Sequence, residues 1–303
     1  MEKENIPLSF MHPFSSSYYR KMGYERIADH RILEFPMKAL DFVPRYPDLI
    51  RCKAPERAED LAKVYNRFAE NRNIMFRRTA ETAYIGVEQP HAEVYLLYGD
   101  NGEPEGSLVL DREQVYWVNQ MVSINLHVRE ICFTSPESLL KLFGFLRMYE
   151  GQMDSIKIHN CAMAPELETA LRHYTHTKIT VIPDIAARVH DVKAVLGAMK
   201  YPEAPGCFTV RVREPEGSGH SPEKTDGCWK VSYGGGSVSV ECLDKDAPCD
   251  IYCDILAFTR LIFGFDSIGA ETARYLPGTV LHTPCADFFR AFPNRPCGLF
   301  EHF

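Results

Sequence analysis

Much that would assign this chain to a membrane, an export route or a nucleic acid is missing from it. The opening residues Met1-Glu2-Lys3-Glu4-Asn5 lack the basic, apolar and small-residue order of a signal peptide. No stretch approaches the ~18 uninterrupted apolar residues of a spanning helix. Positive charge is not in excess: 34 Lys+Arg face 41 Asp+Glu, a net charge of -7. Gripping a phosphate backbone calls for a basic face, so neither nucleic acid nor membrane is expected as a partner. There is no CxxC. The ten cysteines are scattered from Cys52 to Cys297, and the pair Cys249 and Cys253 has the wrong spacing. They read as reduced thiols, which with the missing export signal points to a cytoplasmic location. HExxH, GxSxG, the Rossmann fingerprint and the kinase signatures are also missing. His173 and His176 could share a helix face, but no carboxylate stands at a matching offset, so no metal is expected. Gly234-Gly235-Gly236 runs from strand to strand with no following Lys-Ser/Thr, which makes it a hairpin turn and not a phosphate cradle.

What remains is a globular composition. The 303 residues are 45% hydrophobic and 25% charged, enough for about two domains at ~150 residues each. The pattern divides into segments 1–43, 44–200 and 201–303. In the first, an apolar run from Ile6 to Met11 reads as a strand whose partners must come from later in the chain or be missing. Ser15-Ser16-Ser17 then caps a short helix that stops at Gly23, and a strand follows from Ile27 to Phe35. In the second, Leu61, Val64, Tyr65, Phe68 and Ala69 recur at helical spacing between Pro55 and Asn73. Strand patterns run from Ala83 to Phe133, and the helix from Pro136 to Tyr149 is apolar around most of its axis. Strand Ile156–His159, helix Pro165–His173, strand Lys178–Ile182 and helix Asp191–Met199 complete an α/β alternation. In the third, strands at Phe208–Arg213, Trp229–Tyr233 and Ser237–Leu243, with helices at Asp254–Phe263 and Glu271–Leu276, read as a small α+β unit. The fold class is therefore mixed, α+β with α/β.

Residue patterns alone stop there, but four stretches resemble a known family. Pro13-Phe14-Ser15-Ser16-Ser17-Tyr18-Tyr19-Arg20-Lys21-Met22-Gly23-Tyr24-Glu25 is similar to the PF…FYRKFGYE segment late in the catalytic domain of Eis-like (enhanced intracellular survival) acetyltransferases of the GNAT superfamily. Val64 to Asn73, with Arg78, resembles the start of that family's second, non-catalytic GNAT-like domain. Phe258 to Phe265 resembles a helix of its sterol-carrier-like third domain, and Arg295 to Phe303 resembles its C-terminus.

The resemblance implies a remnant of a catalytic GNAT domain at 1–43, a second GNAT-like domain at 44–200 with a degenerate cofactor site, and a sterol-carrier-like domain at 201–303. It implies transfer of an acetyl group from acetyl-CoA to the primary amine of a small molecule or peptide, by a homo-oligomer. Tyr19 would be the general acid that protonates the departing thiolate, and the α-carboxylate of Phe303 the base that deprotonates the amine. Ser15, Ser16, Tyr19 and Lys21 would contact the coenzyme. A phenol with a usual pKa of ~10 suits the first role. An α-carboxylate near ~3.5 suits the second only when desolvated or acting through a water. The family's R/Q-x-x-G-x-G/A pyrophosphate loop precedes the IPLSFMHPF strand, and here five residues precede it. The chain is therefore expected to lack most of the acetyl-CoA-binding half-domain and to bind the coenzyme poorly. The equivalent turn of the second domain, Ser135-Pro136-Glu137, has no glycine and would aim Glu137 at the phosphates. Glu25, Asp29 and Glu301 would suit a cationic acceptor, but read first as solvated surface. The rival expectation is a non-catalytic binding or regulatory protein whose third domain holds an apolar ligand or a partner, for which a core filled by side chains would be unfavourable.

Overall fold

A computed structural model describes residues 6–83, 91–116, 122–214, 222–265, 268–282 and 285–301. In chain order the strands and helices begin with β1 (Leu8–Met11), α1 (Ser16–Arg20), β2 (Glu25–Pro36), β3 (Ile50–Cys52), α2 (Ala58–Ala69), β4 (Glu93–Tyr98), β5 (Pro104–Tyr116) and β6 (Val122–Phe133). They continue with α3 (Pro136–Leu146), β7 (Ser155–Ile158), α4 (Glu166–Ala170), β8 (Lys178–Val189) and α5 (Val192–Ala198). The last are β9 (Gly206–Arg213), β10 (Gly227–Gly234), β11 (Ser237–Leu243), β12 (Ile251–Asp254), α6 (Ile255–Ile262), α7 (Ala270–Ala273), β13 (Thr279–Leu281) and α8 (Ala286–Ala291).

The chain packs as two compact units. One takes the residues up to Ala28 and those from Pro183 to Cys297, and the other takes Asp29 to Ile182 with the segment that starts at Gly298. Segment 1–43 thus contributes to both.

In the second of these units the strands run in the order β2-β7-β6-β5-β4-β3. All pairs are antiparallel except β6 with β7, which run parallel. Leu108, Val109 and Leu110 are consecutive and all buried, the mark of a strand covered on both faces. Helix α2 buries Leu61, Val64, Tyr65 and Phe68, a one-sided stripe that fits the helical spacing of its sequence. Helix α3 starts at a capping box, in which the Ser135 hydroxyl accepts from the Ser138 N–H at 3.1 Å. A register slip between β5 and β6 makes Arg129 an extra residue: Leu110 faces Val128, yet Val109 faces Glu130. Such a bulge re-aims the residue after it, so Glu130 leaves the side that simple alternation from Val128 would give it.

In the other unit β1 finds its partner in β8, with Leu8 opposite Val189 and Met11 opposite Ala186. The strand that opens the chain therefore pairs with one far along it. A five-stranded sheet runs β11-β10-β9-β12-β13. Gly234–Gly236 form the turn of the β10–β11 hairpin, with Gly234 opposite Ser237. Asp191 caps α5 and Asp254 caps α6 through hydrogen bonds from Ala194 N–H (2.9 Å) and Ala257 N–H (2.7 Å). Phe208 packs edge-on to Phe288 and Phe292, with ring centroids 5.1 and 5.8 Å away, and Tyr233 stacks on Tyr201 at 5.0 Å. None of the ten cysteines is in a disulfide. No helix among the described residues is long and apolar enough to cross a membrane.

Candidate functional site

Tyr19 sits on α1, a five-residue helix that could not persist alone. Its closure is a Schellman motif: Tyr24 N–H donates to the Tyr19 carbonyl at 3.1 Å and Gly23 N–H to the Arg20 carbonyl at 3.0 Å. Gly23 has φ +80°, and a Cβ there would collide with the Arg188 guanidinium. Arg188 is itself buried. It donates from Nη1 to the Met22 carbonyl at 2.6 Å and from Nη2 to Glu214 Oε1 at 3.1 Å, so a buried ion pair clamps the end of the Tyr19 helix. At the other end the expected cap is not made. Ser15 occupies the N-cap position, but its hydroxyl bonds the Ser17 hydroxyl at 3.2 Å instead of a helix N–H.

The Tyr19 ring is half-buried, edge-on to Phe14 and Tyr18 at 5.2 Å each and near Tyr24 at 6.0 Å. Among the described residues its hydroxyl has no hydrogen-bond partner, which leaves its proton available to a ligand. Tyr19 and Ser16 line a cavity of about 220 Å³ with Arg20, Tyr24, Glu25, Arg26, Asp184 and Arg260. Glu25 is buried, not solvated: it pairs with Arg20, accepts from the Arg26 N–H at 3.0 Å, and lies 3.9 Å from Arg260. Asp184 holds His12 at 2.9 Å. Three guanidiniums against two carboxylates leave this wall net positive, which favours an electron-rich carbonyl or a developing anion beside the phenol. Of the sequence-derived coenzyme contacts, the structure brings Ser16 and Tyr19 together. Ser15 and the exposed Lys21 lie outside the lining. Phe303 lies outside the described residues.

The other unit carries a larger cleft, about 910 Å³, where β6 enters α3. Phe42, Phe68 and Phe133 line it with Arg67, Arg72, Arg172, Ser135 and Pro136. A helix N-terminus attracts anions through free N–H groups. Here Ser138 N–H is taken by the Ser135 hydroxyl, and Pro136 has none to offer. Glu137 does not face this cleft as the sequence reading had it: its exposed carboxylate pairs with Lys141 at 2.9 Å. A parallel strand pair and a strand-to-helix crossing beside a cleft is an arrangement that can be compared with known domains.

Residues 74–189 match the family model of the acetyltransferase (GNAT) domain.

Solved structures agree on the fold. A GCN5-related N-acetyltransferase from Anabaena variabilis ATCC 29413 superposes with a TM-score of 0.82 at 16% identity, covering 100% of this chain and 74% of that one. A probable N-acyltransferase from Enterococcus faecalis V583 gives 0.77 at 17% identity, covering 99% and 74%. Eis1 from Mycobacterium abscessus gives 0.70 at 14% identity, covering 100% and 75%. No curated protein sequence matches the chain.

Within the unit that holds most of the GNAT match lie two polar clusters. In the first, Arg78 is buried and donates from Nη1 and Nη2 to the two oxygens of Glu130, 2.8 Å each, and from Nε to Glu301 Oε1 at 2.8 Å. Glu301 is thus an ion-pair partner and not a solvated carboxylate, and Asp29 is buried as well. The second is a chain of three side chains. Glu113 Oε2 is 2.9 Å from His127 Nε2, and His127 Nδ1 is 3.0 Å from His159 Nε2. The carboxylate requires a proton on His127 Nε2, which leaves Nδ1 to accept from His159. Burial pushes His127 down, and burial with the nearby Arg129 pushes His159 down to about 3. The hydrogen bond from His127 holds Glu113 down at about 2. His173 and His176 do not share a helix face, since α4 ends at Ala170.

Sequence reasoning missed Arg188, Glu214 and Glu130. A signal existed: Arg188 follows Ala186-Ala187 and precedes Val189, and Glu130 precedes Ile131-Cys132, each a charge in an apolar strand. A buried charge there demands a partner.

Proposed function

We propose that this chain is an Eis-like N-acetyltransferase polypeptide that moves an acetyl group from acetyl-CoA to a primary amine, working as a homo-oligomer. The observation that carries it is the placement of Tyr19: a half-buried phenol with an uncommitted proton on the wall of a small, net-positive cavity. The GNAT-domain match over 74–189 supports the family.

Acetyl-CoA, when bound, supplies the acetyl group activated as a thioester. The 220 Å³ cavity is below the ~300–1,000 Å³ of sites that enclose drug-sized ligands, so Ser16 and Tyr19 fit the thioester end and not the whole coenzyme. Tyr19 gives its hydroxyl proton to the sulfur as the C–S bond breaks, and Arg20 and Arg260 steady the negative charge that builds there. The α-carboxylate of Phe303 takes the proton that the amine releases as its nitrogen bonds the acyl carbon. A cavity of this size holds the thioester end alone, so affinity for the whole coenzyme through it is weak. Calorimetric titration with acetyl-CoA tests this: a Kd above ~1 mM is expected, and micromolar binding contradicts it.

The rival reading gives residues 201–303 a sterol-carrier-like role in holding an apolar ligand. The rings of Phe208, Tyr233, Phe288 and Phe292 pack on one another in the interior of this segment, which supports the enzyme reading over an apolar-ligand carrier.

A further inference from the structure

We propose that Arg78 is a positioning residue: with Glu130 and Tyr65 it forms a socket that seats the C-terminal segment through Glu301. Its use in acetyl transfer rests on the function proposed above, whereas the seating itself does not.

The socket is held by contacts that do not involve the segment. Asn66 on α2 grips the Arg78 backbone from both sides, with Nδ2 donating to its carbonyl at 2.8 Å and Oδ1 accepting from its N–H at 2.9 Å. Glu130, aimed by the bulge at Arg129, takes both Nη groups in a fork that fixes the guanidinium plane. That plane lies over the Tyr65 ring, 3.7 Å from its centroid. The third nitrogen, Nε, donates to Glu301. The Tyr65 hydroxyl donates to the other oxygen of Glu301 at 3.4 Å. Burial and Glu301 keep that phenol well above its ordinary range, so it remains a donor at any physiological pH.

Two further contacts make the fit specific to this segment. Phe300 enters the core beside Tyr65 and Phe68, with ring centroids 6.3 and 6.2 Å away. A Cβ on Gly298 would come 2.6 Å from Met163 Cγ, so a side chain there requires Met163 to shift. An aromatic residue followed by a carboxylate is what the socket accepts.

A buried Arg with two carboxylates is a poor source of net stability, because desolvation offsets the attraction. Its geometry instead selects one position for Glu301. In the function proposed above the base is the Phe303 carboxylate, so a fixed Glu301 bears on that base only through the chain between them. A base that must meet an ammonium proton needs a restricted position.

The test compares Glu301→Ala and Glu301→Gln with the full chain, read by hydrogen–deuterium exchange and by steady-state acetyl transfer. In Glu301→Ala, exchange at 298–301 should quicken by about tenfold or more, the loss expected for a charge-assisted hydrogen bond, while α2 and β6 keep their protection. The same variant should lose about tenfold in kcat with KM for acetyl-CoA within about twofold, and Glu301→Gln, which still accepts from Arg78, should recover most of it. Unchanged exchange at 298–301 overturns the socket. A loosened segment with unchanged kcat overturns the positioning role. If the wild-type chain transfers no acetyl group, the proposed function and the catalytic purpose of the socket both fall, while the exchange result still decides whether Arg78 seats the segment.

Discussion

Replacing Arg188 with Met should unfold the Tyr19 helix before anything else, and the cost can be worked from its contacts. The substitution keeps an apolar stem but removes the guanidinium, and it leaves Glu214, whose side chain is 3% exposed, as a buried carboxylate without its arginine. It also removes the donor on the Met22 carbonyl, the group next to the Gly23 turn. Stranding one charge of a buried pair costs about 3–5 kcal/mol, a large part of the ~5–15 kcal/mol that holds a domain together. At ~3 °C per kcal/mol this is a fall of roughly 10–15 °C in Tm. Arg188→Met with Glu214→Leu should regain most of that, because two apolar side chains can replace the pair. Tyrosine fluorescence and calorimetry on the single and double variants read both quantities. A single-variant loss under about 1 kcal/mol, or a double variant no better than the single, would refute the reasoning.

Other outcomes follow from the same contacts. Tyr19→Phe should lower kcat by about 10²-fold or more with Tm unmoved, since among the described residues the hydroxyl has no hydrogen-bond partner. Adding one glycine after Phe303 should lower kcat by about tenfold or more by moving the α-carboxylate, with protection at 298–301 kept. His159 is held down to about 3 from its ordinary 6.5, so the unfolded chain binds the proton more readily. Stability should therefore be full above pH 6.5 and fall between 6.5 and about 3, and His159→Gln should flatten that slope in urea titrations. Gly23→Ala should destabilise by about 1 kcal/mol or more, from the positive φ and the collision with Arg188.

Much of the local structure was legible because local rules decide it. The stripe in α2, the Gly23 stop and the Gly234–Gly236 hairpin depend on residues close in sequence. What sequence could not give was pairing over distance. The partner of β1 is β8, which extends to Val189 where the apolar pattern suggested Ile182, and nothing near residue 8 encodes that. Glu130 was hidden for a different reason: a one-residue bulge changes which side it faces, and period-two reading assumes no bulge. The Ser15 cap is not made, and its hydroxyl bonds that of Ser17 instead. Of the candidate site, Ser16 and Tyr19 were readable through the resemblance, whereas the Arg188–Glu214 clamp and the role of Glu301 needed the fold.

The most direct test of the account mixes this chain with acetyl-CoA above ~1 mM and a panel of primary amines, and follows acetylated amine by mass spectrometry. The account predicts product from the wild-type chain that falls by about 10²-fold in Tyr19→Phe. Full turnover by Tyr19→Phe, or no acetylated amine from the wild type at any coenzyme concentration, would contradict it.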